Sequence, residues 1–406
     1  MQLLFHTLPN NIRLVHKRIQ GNVAYCGVII NAGSRDESEK EHGVAHFIEH
    51  MLFKGTSKRK PYHILSRLED TGGELNAYTT KEETAVHASF LRNDYERAIE
   101  LISDITFNSI FPGKEIEKEK DVVIEEIKSY RDNPSELIYD DFEELVFAGM
   151  PIARNILGSV HSVKKINRDK IISFINHNYS TDEIVFCSVG DIEDRKIIYL
   201  FQKYFSAIPD RSSEKKKAEK LEYKPGSLLK KKDTFQNHCI IGNLAYDIRD
   251  SRRVGMFLLN NIIGGPGLNS RLNLSLRERN GLAYNVESSY NPYSDTGVFS
   301  IYFGTDSKLL DKSISLCLKE LTRLRTERLG TIQMSKACTQ MKGYLARSFE
   351  NHESLMLSLA KNIIVFNKAD SFEELCNQID KLTSSDILEM ANEILEPSRL
   401  STLIYK

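Results

Sequence analysis

Ten residues constrain this chain more than any others: Val44 to Phe53, reading V-A-H-F-I-E-H-M-L-F. On a helix, His46, Glu49 and His50 fall within one arc of about 100°, and Val44, Phe47, Ile48, Met51 and Leu52 take the opposite side. The stretch reads as a helix that stacks two imidazoles one turn apart, with a carboxylate between them. Two neutral imidazole nitrogens at that spacing can bind zinc, and the glutamate stands close enough to deprotonate a water at the metal. The bland alternative is a pair of satisfied core histidines. Against it, three polar groups with apolar flanks are costly to desolvate unless they are paired or metal-bound.

A second helix, expected over 114–130, bears on the same chemistry. Its apolar stripe is Ile116, Val123, Ile124 and Ile127, with Glu126 on the border of the stripe and Glu125 pointing away. Of this adjacent pair only Glu126 can face inward, and Glu119 lies two turns earlier along the same line. From the residues alone, an ordinary solvated acidic face reads the same way.

At 406 residues the chain has room for two or three domains. Its 55 basic and 56 acidic residues nearly cancel, so bulk electrostatics points to neither nucleic acid nor an anionic membrane as partner. Cys26, Cys187, Cys239, Cys317, Cys338 and Cys376 are scattered, as reduced buried thiols of a cytosolic protein would be. The first residues lack a basic segment before their apolar run, and no stretch approaches the length of a spanning helix. A cytoplasmic location follows as the expectation.

In chain order, 12–16 and 23–30 read as a hairpin joined by Gln20-Gly21-Asn22. Strands are expected at 74–80, 83–91 and 183–189, and the segment 211–226, rich in Lys, Glu and Ser, reads as a linker. The second half repeats the first in degenerate form, with a strand at 239–246, a helix at 254–263 and a helix at 270–279. Strands near 284–290 and 297–304, a run of helices and a last strand at 400–405 follow. The helix at 254–263 holds no histidine. The expected fold is therefore α+β, built of two homologous domains at 1–210 and 227–406. Each is a mixed β-sheet flanked by helices on one side, and only the first can do metal chemistry.

H-G-V-A-H-F-I-E-H-M-L-F-K-G-T (42–56) and K-E-K-D-V-V-I-E-E-I (118–127) resemble the core signature and the downstream ligand helix of the pitrilysin-type inverted-motif zinc peptidases. That family includes the mitochondrial processing peptidase, and the resemblance spans nearly the whole chain. It implies one Zn²⁺ per chain held by His46, His50 and Glu126, with Glu49 as the base and Glu119 orienting a ligand histidine from outside. G-G-E-L-N-A-Y-T-T (72–80) is similar to the family's substrate strand, which implies contacts from Asn76 and Ala77 to a peptide added at a sheet edge. G-G-P-G-L-N-S-R-L (264–272) and R-E-R-N-G-L-A-Y (277–284) look like its glycine-rich loop and Arg/Tyr element. By that likeness Arg277 binds a substrate carbonyl and Tyr284 stabilises the oxyanion. Met150-Pro151 departs from the pattern, since many relatives carry a histidine before that proline.

The implied activity is zinc-dependent metalloendopeptidase action on peptides or unfolded segments inside a chamber. A two-domain chain builds such a chamber as a homodimer, with Arg277 and Tyr284 acting in trans; a heterodimer with a motif-lacking paralogue is the variant. The competing class is a non-catalytic chamber or assembly subunit of the same fold. Relatives of that kind lose motif residues, whereas His46, Glu49, His50 and Glu126 are all present here.

Overall fold

The computed structural model describes residues 3–212 and 222–406. The first half carries strands β1 (Leu4–Thr7), β2 (Arg13–Arg18), β3 (Val23–Ile30), β4 (Glu74–Thr79), β5 (Thr84–Leu91) and β6 (Ile184–Gly190). Its helices are α1 (Val44–Met51), α2 (Pro61–Glu69), α3 (Tyr95–Phe107), α4 (Gly113–Arg131), α5 (Pro134–Val146), α6 (Val160–Lys164), α7 (Arg168–Asn178) and α8 (Asp194–Phe205). The second half carries β7 (Ser227–Lys230), β8 (Asn237–Ala245), β9 (Ala283–Pro292), β10 (Gly297–Thr305) and β11 (Ser401–Tyr405). Its helices are α9 (Arg253–Gly264), α10 (Leu310–Thr326), α11 (Thr331–Glu350), α12 (His352–Phe366), α13 (Phe372–Asp380) and α14 (Ser384–Ile394). Most of the linker expected at 211–226 lies outside the described residues.

Two sheets form, in the orders β1-β2-β6-β3-β5-β4 and β7-β11-β8-β10-β9. In the first, β2 and β6 run parallel and the other neighbours antiparallel. In the second, β7 and β11 are the parallel pair and the rest are antiparallel. From β2 onward the second sheet repeats the first strand for strand, which is the topological imprint of a duplication.

The hairpin expected at 12–30 does not form, because β6 inserts between β2 and β3. All seven residues of β6 are buried, and a strand buried on both faces belongs in the middle of a sheet, bonded on both edges. Four elements escaped the sequence reading: the short strands β1 and β7, the five-residue helix α6, and α13. The last has a legible start, in which the Ser371 hydroxyl accepts from the Glu374 N–H while the Glu374 carboxylate accepts from Ser371 N–H.

Each sheet carries helices on both faces, not on one. On one face of the first sheet Cys26, Val28, Val86 and Ala88 pack with α1, α3, α4, α7 and α8. On the other, Val15, Ile29, Ala85, Val185 and Cys187 pack against Leu355, Met356, Leu359, Ala360 and Ile363 of α12. These five form two adjacent i, i+4 rows, the apolar stripe of an amphipathic helix. Arg13 donates to the Ile363 carbonyl at 3.1 Å, and Glu353 lies 3.0 Å from His87, so polar contacts border the packing. In the second sheet, Ile240, Val298, Tyr302 and Leu403 are covered in the same way by Leu137, Ile138, Phe142 and Val146 of α5.

The chain accordingly divides into two compact units that do not follow a single cut. One comprises the described residues of Met1–Lys128, Arg154–Lys217 and Ser348–Ala369; the other those of Ser129–Ala153, Ala218–Arg347 and Asp370–Lys406. Each half of the sequence supplies one equivalent helix, α5 or α12, to the unit built mainly by the other half. No helix among the described residues is long and apolar enough to cross a membrane.

A fragment ending at residue 210 keeps β1 to β6 but lacks α12, leaving Val15, Ile29, Ala85 and Val185 uncovered. It should bind a hydrophobic dye strongly and lose the cooperative thermal transition of the full chain. A fragment that melts cooperatively without dye binding would show that α12 is dispensable.

Candidate metal centre

Helix α1 is only eight residues long, and its position is set from outside. Val44, Ala45, Phe47, Ile48 and Met51 sink into the core of the first unit. At its start Gly43 takes φ +90°, backed by Gly158 at φ +76°, and a Cβ on Gly158 would stand 2.8 Å from the Gly43 Cα. The first N–H groups of α1 find their acceptor in Glu37: its two carboxylate oxygens accept from Gly43 at 2.9 Å and Ala45 at 2.8 Å. Glu37 is 3% exposed. Burial pushes its carboxyl up to about 8, while the Ala45 and Gly43 N–H groups and Arg154 pull it down.

Helix α1 presents His46 and His50 to α4, whose buried residues Ile116, Val123, Ile124 and Ile127 dock it on the core. Glu126 then faces both rings, with its carboxylate oxygens 3.6 Å from His46 Nε2 and 3.4 Å from His50 Nε2. One ligand atom from each of the three residues lies within 4.8 Å of the others, the one such group among the described residues that could hold a metal ion. Ligands at about 2.1 Å from a tetrahedral zinc stand about 3.4 Å apart, so these side chains fit Zn²⁺. Glu126 is 42% exposed, which leaves the centre open on one side.

Glu119 comes from the same face of α4. One of its oxygens lies 2.9 Å from His50 Nδ1 and the other 2.7 Å from the Lys54 ammonium. Burial works against the charged form of Glu119, but His50 and Lys54 hold it below the usual carboxylate range. Burial likewise opposes a charged His50, yet Glu119 and Glu126 raise it to about 9. His46, desolvated and beside His50, is pushed well below the ordinary imidazole value and is neutral at pH 7.

Glu49 projects from α1 toward Thr79, the last residue of β4, and α1 packs along that strand. Burial pushes the Glu49 carboxyl up, with Thr79 and His50 pulling down, a setting suited to a base working near neutrality. Strand β4 is an edge, bonded only to β5. The Thr80 N–H donates to the Glu83 carbonyl, and this sets the alternation along the ladder. Glu74, Asn76 and Tyr78 bond to β5, while Leu75, Ala77 and Thr79 turn their N–H and C=O groups to the free edge. Ala77 therefore offers main-chain groups beside α1. The exposed side chain of Asn76 stands on the opposite face, the one that α12 covers.

Arg277 and Tyr284 belong to the second unit. The helix expected at 270–279 ends in a π-helical turn, Asn273–Glu278, in which the Arg279 N–H reaches back to the Leu274 carbonyl. Gly281, at φ +59°, then closes the turn: the Leu282 N–H bonds to the Leu276 carbonyl and the Gly281 N–H to the Arg277 carbonyl. This cap launches β9, a free sheet edge, with Tyr284 81% exposed and the Arg277 guanidinium 5.4 Å from its ring centre. Glu37, Gly158 and Lys54 were missed from sequence. Glu37 stands in a charged stretch that reads as a surface loop, and only the fold turns it onto α1.

A duplicated α+β fold with two helix-borne histidines and a glutamate gathered in its first copy defines a class of metallopeptidase-like proteins. Comparisons with known proteins narrow the class. A family model described as Insulinase (Peptidase family M16) matches residues 13–160, and one described as Peptidase M16 inactive domain matches 165–341. The chain is 30% identical over 401 residues to "Uncharacterized zinc protease YmxG" of Bacillus subtilis, covering 98% of this chain and 97% of that protein. It is 33% identical over 377 residues to a zinc protease of Rickettsia felis, covering 93% and 91%. Against the mitochondrial-processing peptidase subunit beta of Saccharomyces cerevisiae it is 29% identical over 410 residues, covering 97% and 89%. The chain belongs to the peptidase M16 family. A crystal structure of a protease from Helicobacter pylori shares the fold, with TM-score 0.90 at 20% identity and coverage of 100% and 99%.

If Glu37 holds α1 in place, Glu37→Gln should destabilise the chain by about 1–3 kcal/mol, since an amide group would face a backbone donor. Denaturant unfolding measures this, and a stability equal to wild type would contradict the capping role.

Proposed function

We propose that this chain is a zinc metalloendopeptidase that takes peptides or unfolded segments on the β4 edge and hydrolyses them at His46, His50 and Glu126. The convergence of those three residues, with Glu49 on the helix that carries both histidines and facing the edge strand, carries the reading. Bound there, Zn²⁺ would act as a Lewis acid that acidifies water and polarises the peptide carbonyl. Ala77 pairs with the peptide main chain and fixes its register, with Asn76 beside it. Glu49 takes the proton from the attacking water and passes it to the leaving amine. Glu119 holds the Nδ1–H of His50, so that its Nε2 lone pair points at the ligand position.

In this reading two chains pair as a homodimer around the substrate. Arg277 of one chain binds a substrate carbonyl and Tyr284 donates to the oxyanion at the metal of the other. The exposure of Tyr284 supports a role toward a partner. A cytoplasmic location belongs to the same reading and accords with the six free cysteines.

Metal analysis with cleavage of a quenched peptide tests the activity. Wild type should bind about one zinc per chain and cleave, and Glu49→Gln should keep the metal while losing cleavage by about 10²–10⁴-fold. Zinc bound by a wild type that cleaves nothing would favour the non-catalytic subunit. The trans arrangement makes a separate forecast. Mixing Glu49→Gln with Tyr284→Phe, each inactive alone, should restore roughly a quarter of wild-type activity once chains exchange at random in a symmetric pair. Activity no higher than either parent would exclude action in trans.

A further inference from the structure

We infer that Lys54 is a positioning residue of the metal centre, acting through Glu119 on His50; this rests on the zinc reading above. Lys54 follows the end of α1, where its N–H donates to the Met51 carbonyl, and its ammonium lies 2.7 Å from one oxygen of Glu119. The other oxygen of Glu119 meets His50 Nδ1 at 2.9 Å. Glu119 is 5% exposed, so water cannot readily replace either partner. A carboxylate held at one oxygen can still rotate about its Cγ–Cδ bond; held at both, it has one orientation. Lys54 thus fixes the plane of Glu119, and Glu119 fixes the tautomer and tilt of the His50 ring.

The other ligand histidine has no such support. His46 Nδ1 is buried and has no hydrogen-bond partner among the described residues. Orientation of the imidazoles from outside therefore runs through the Lys54–Glu119–His50 chain. Its reach is short: α1 supplies His50, and the turn after α1 supplies Lys54, so one local segment grips both ends of the Glu119 carboxylate. An exposed ion pair of this length would contribute little. The burial of Glu119 is what gives this pair its role.

The test compares Zn²⁺ affinity, by competition with a chromophoric chelator, among wild type, Lys54→Met, Lys54→Arg, Glu119→Gln and the Lys54→Met/Glu119→Gln pair, with thermal melts of the metal-free proteins. Lys54→Met should weaken zinc binding about tenfold and Lys54→Arg should recover most of that loss. The double variant should bind no more weakly than Glu119→Gln alone, since the lysine acts through the carboxylate. Unchanged affinity in Lys54→Met overturns the inference, as do losses that add in the double variant. A lowered metal-free melt that tracks the lost affinity and is not recovered by arginine marks a merely structural role, and overturns it too. A wild type that binds no zinc overturns the metal reading itself, and this inference with it.

Discussion

Both oxygens of one buried carboxylate, Glu37, end on the first N–H groups of α1, and the geometry of the metal centre depends on that contact. A helix of two turns has no stability of its own in water, because nucleation is unfavourable and its terminal N–H groups lack partners. The two oxygens of Glu37 supply the missing acceptors, and the paired glycines Gly43 and Gly158 let the loop close over the same end. The segment that carries Glu37 also anchors the edge strand β4. Ser34 and Arg35 donate their N–H groups to the carbonyls of Thr80 and Lys81, in the turn that follows β4. The metal helix and the edge strand are thus referenced to one short stretch of chain, so Glu49 keeps its place against Thr79 although α1 is too short to be rigid by itself.

The duplication explains why only one copy carries this centre. In the second unit α9 follows β8 as α1 follows β3, but it buries Met256, Leu258, Leu259 and Ile263. Each such side chain contributes about 1.5–3 kcal/mol by leaving water. Two imidazoles and a carboxylate in the same setting would be desolvated at a cost unless a metal or paired charges offset it. The second copy takes the apolar solution and is free of that constraint. Its exposed features lie elsewhere, at the π-helical turn and the start of β9, where Arg277 and Tyr284 stand clear of the core.

Much of this was legible in the residues because the signals are local. The helical projection placed His46, Glu49 and His50 on one face and favoured Glu126 over Glu125; the structure brings His46, His50 and Glu126 together and leaves Glu125 exposed, paired only with Lys128. What escaped has a common physical cause in long-range pairing. The hairpin expected at 12–30 satisfied every local rule, yet β6, more than 150 residues downstream, needs neighbours on both edges. Helices α5 and α12 show correct apolar stripes, but no local pattern says which sheet a stripe will cover. Glu37 reads as a loop charge because its partners are N–H groups, which every residue but proline has.

The charges at the centre also indicate how it keeps its shape before metal arrives. His50 is held at about 9 by Glu119 and Glu126, so at neutral pH its ring carries a proton and bridges the two carboxylates. His46, desolvated beside it, stays neutral with its Nε2 turned toward Glu126. The proton on His50 therefore does part of what a cation would do, drawing Glu126 toward both rings instead of letting three acidic side chains repel one another. A divalent metal ion that enters must displace that proton, so the site gains one unit of positive charge while the same side chains already face the ligand position. The mutual repulsion of Glu49, Glu119 and Glu126 is in this way countered by Lys54 and by His50 itself.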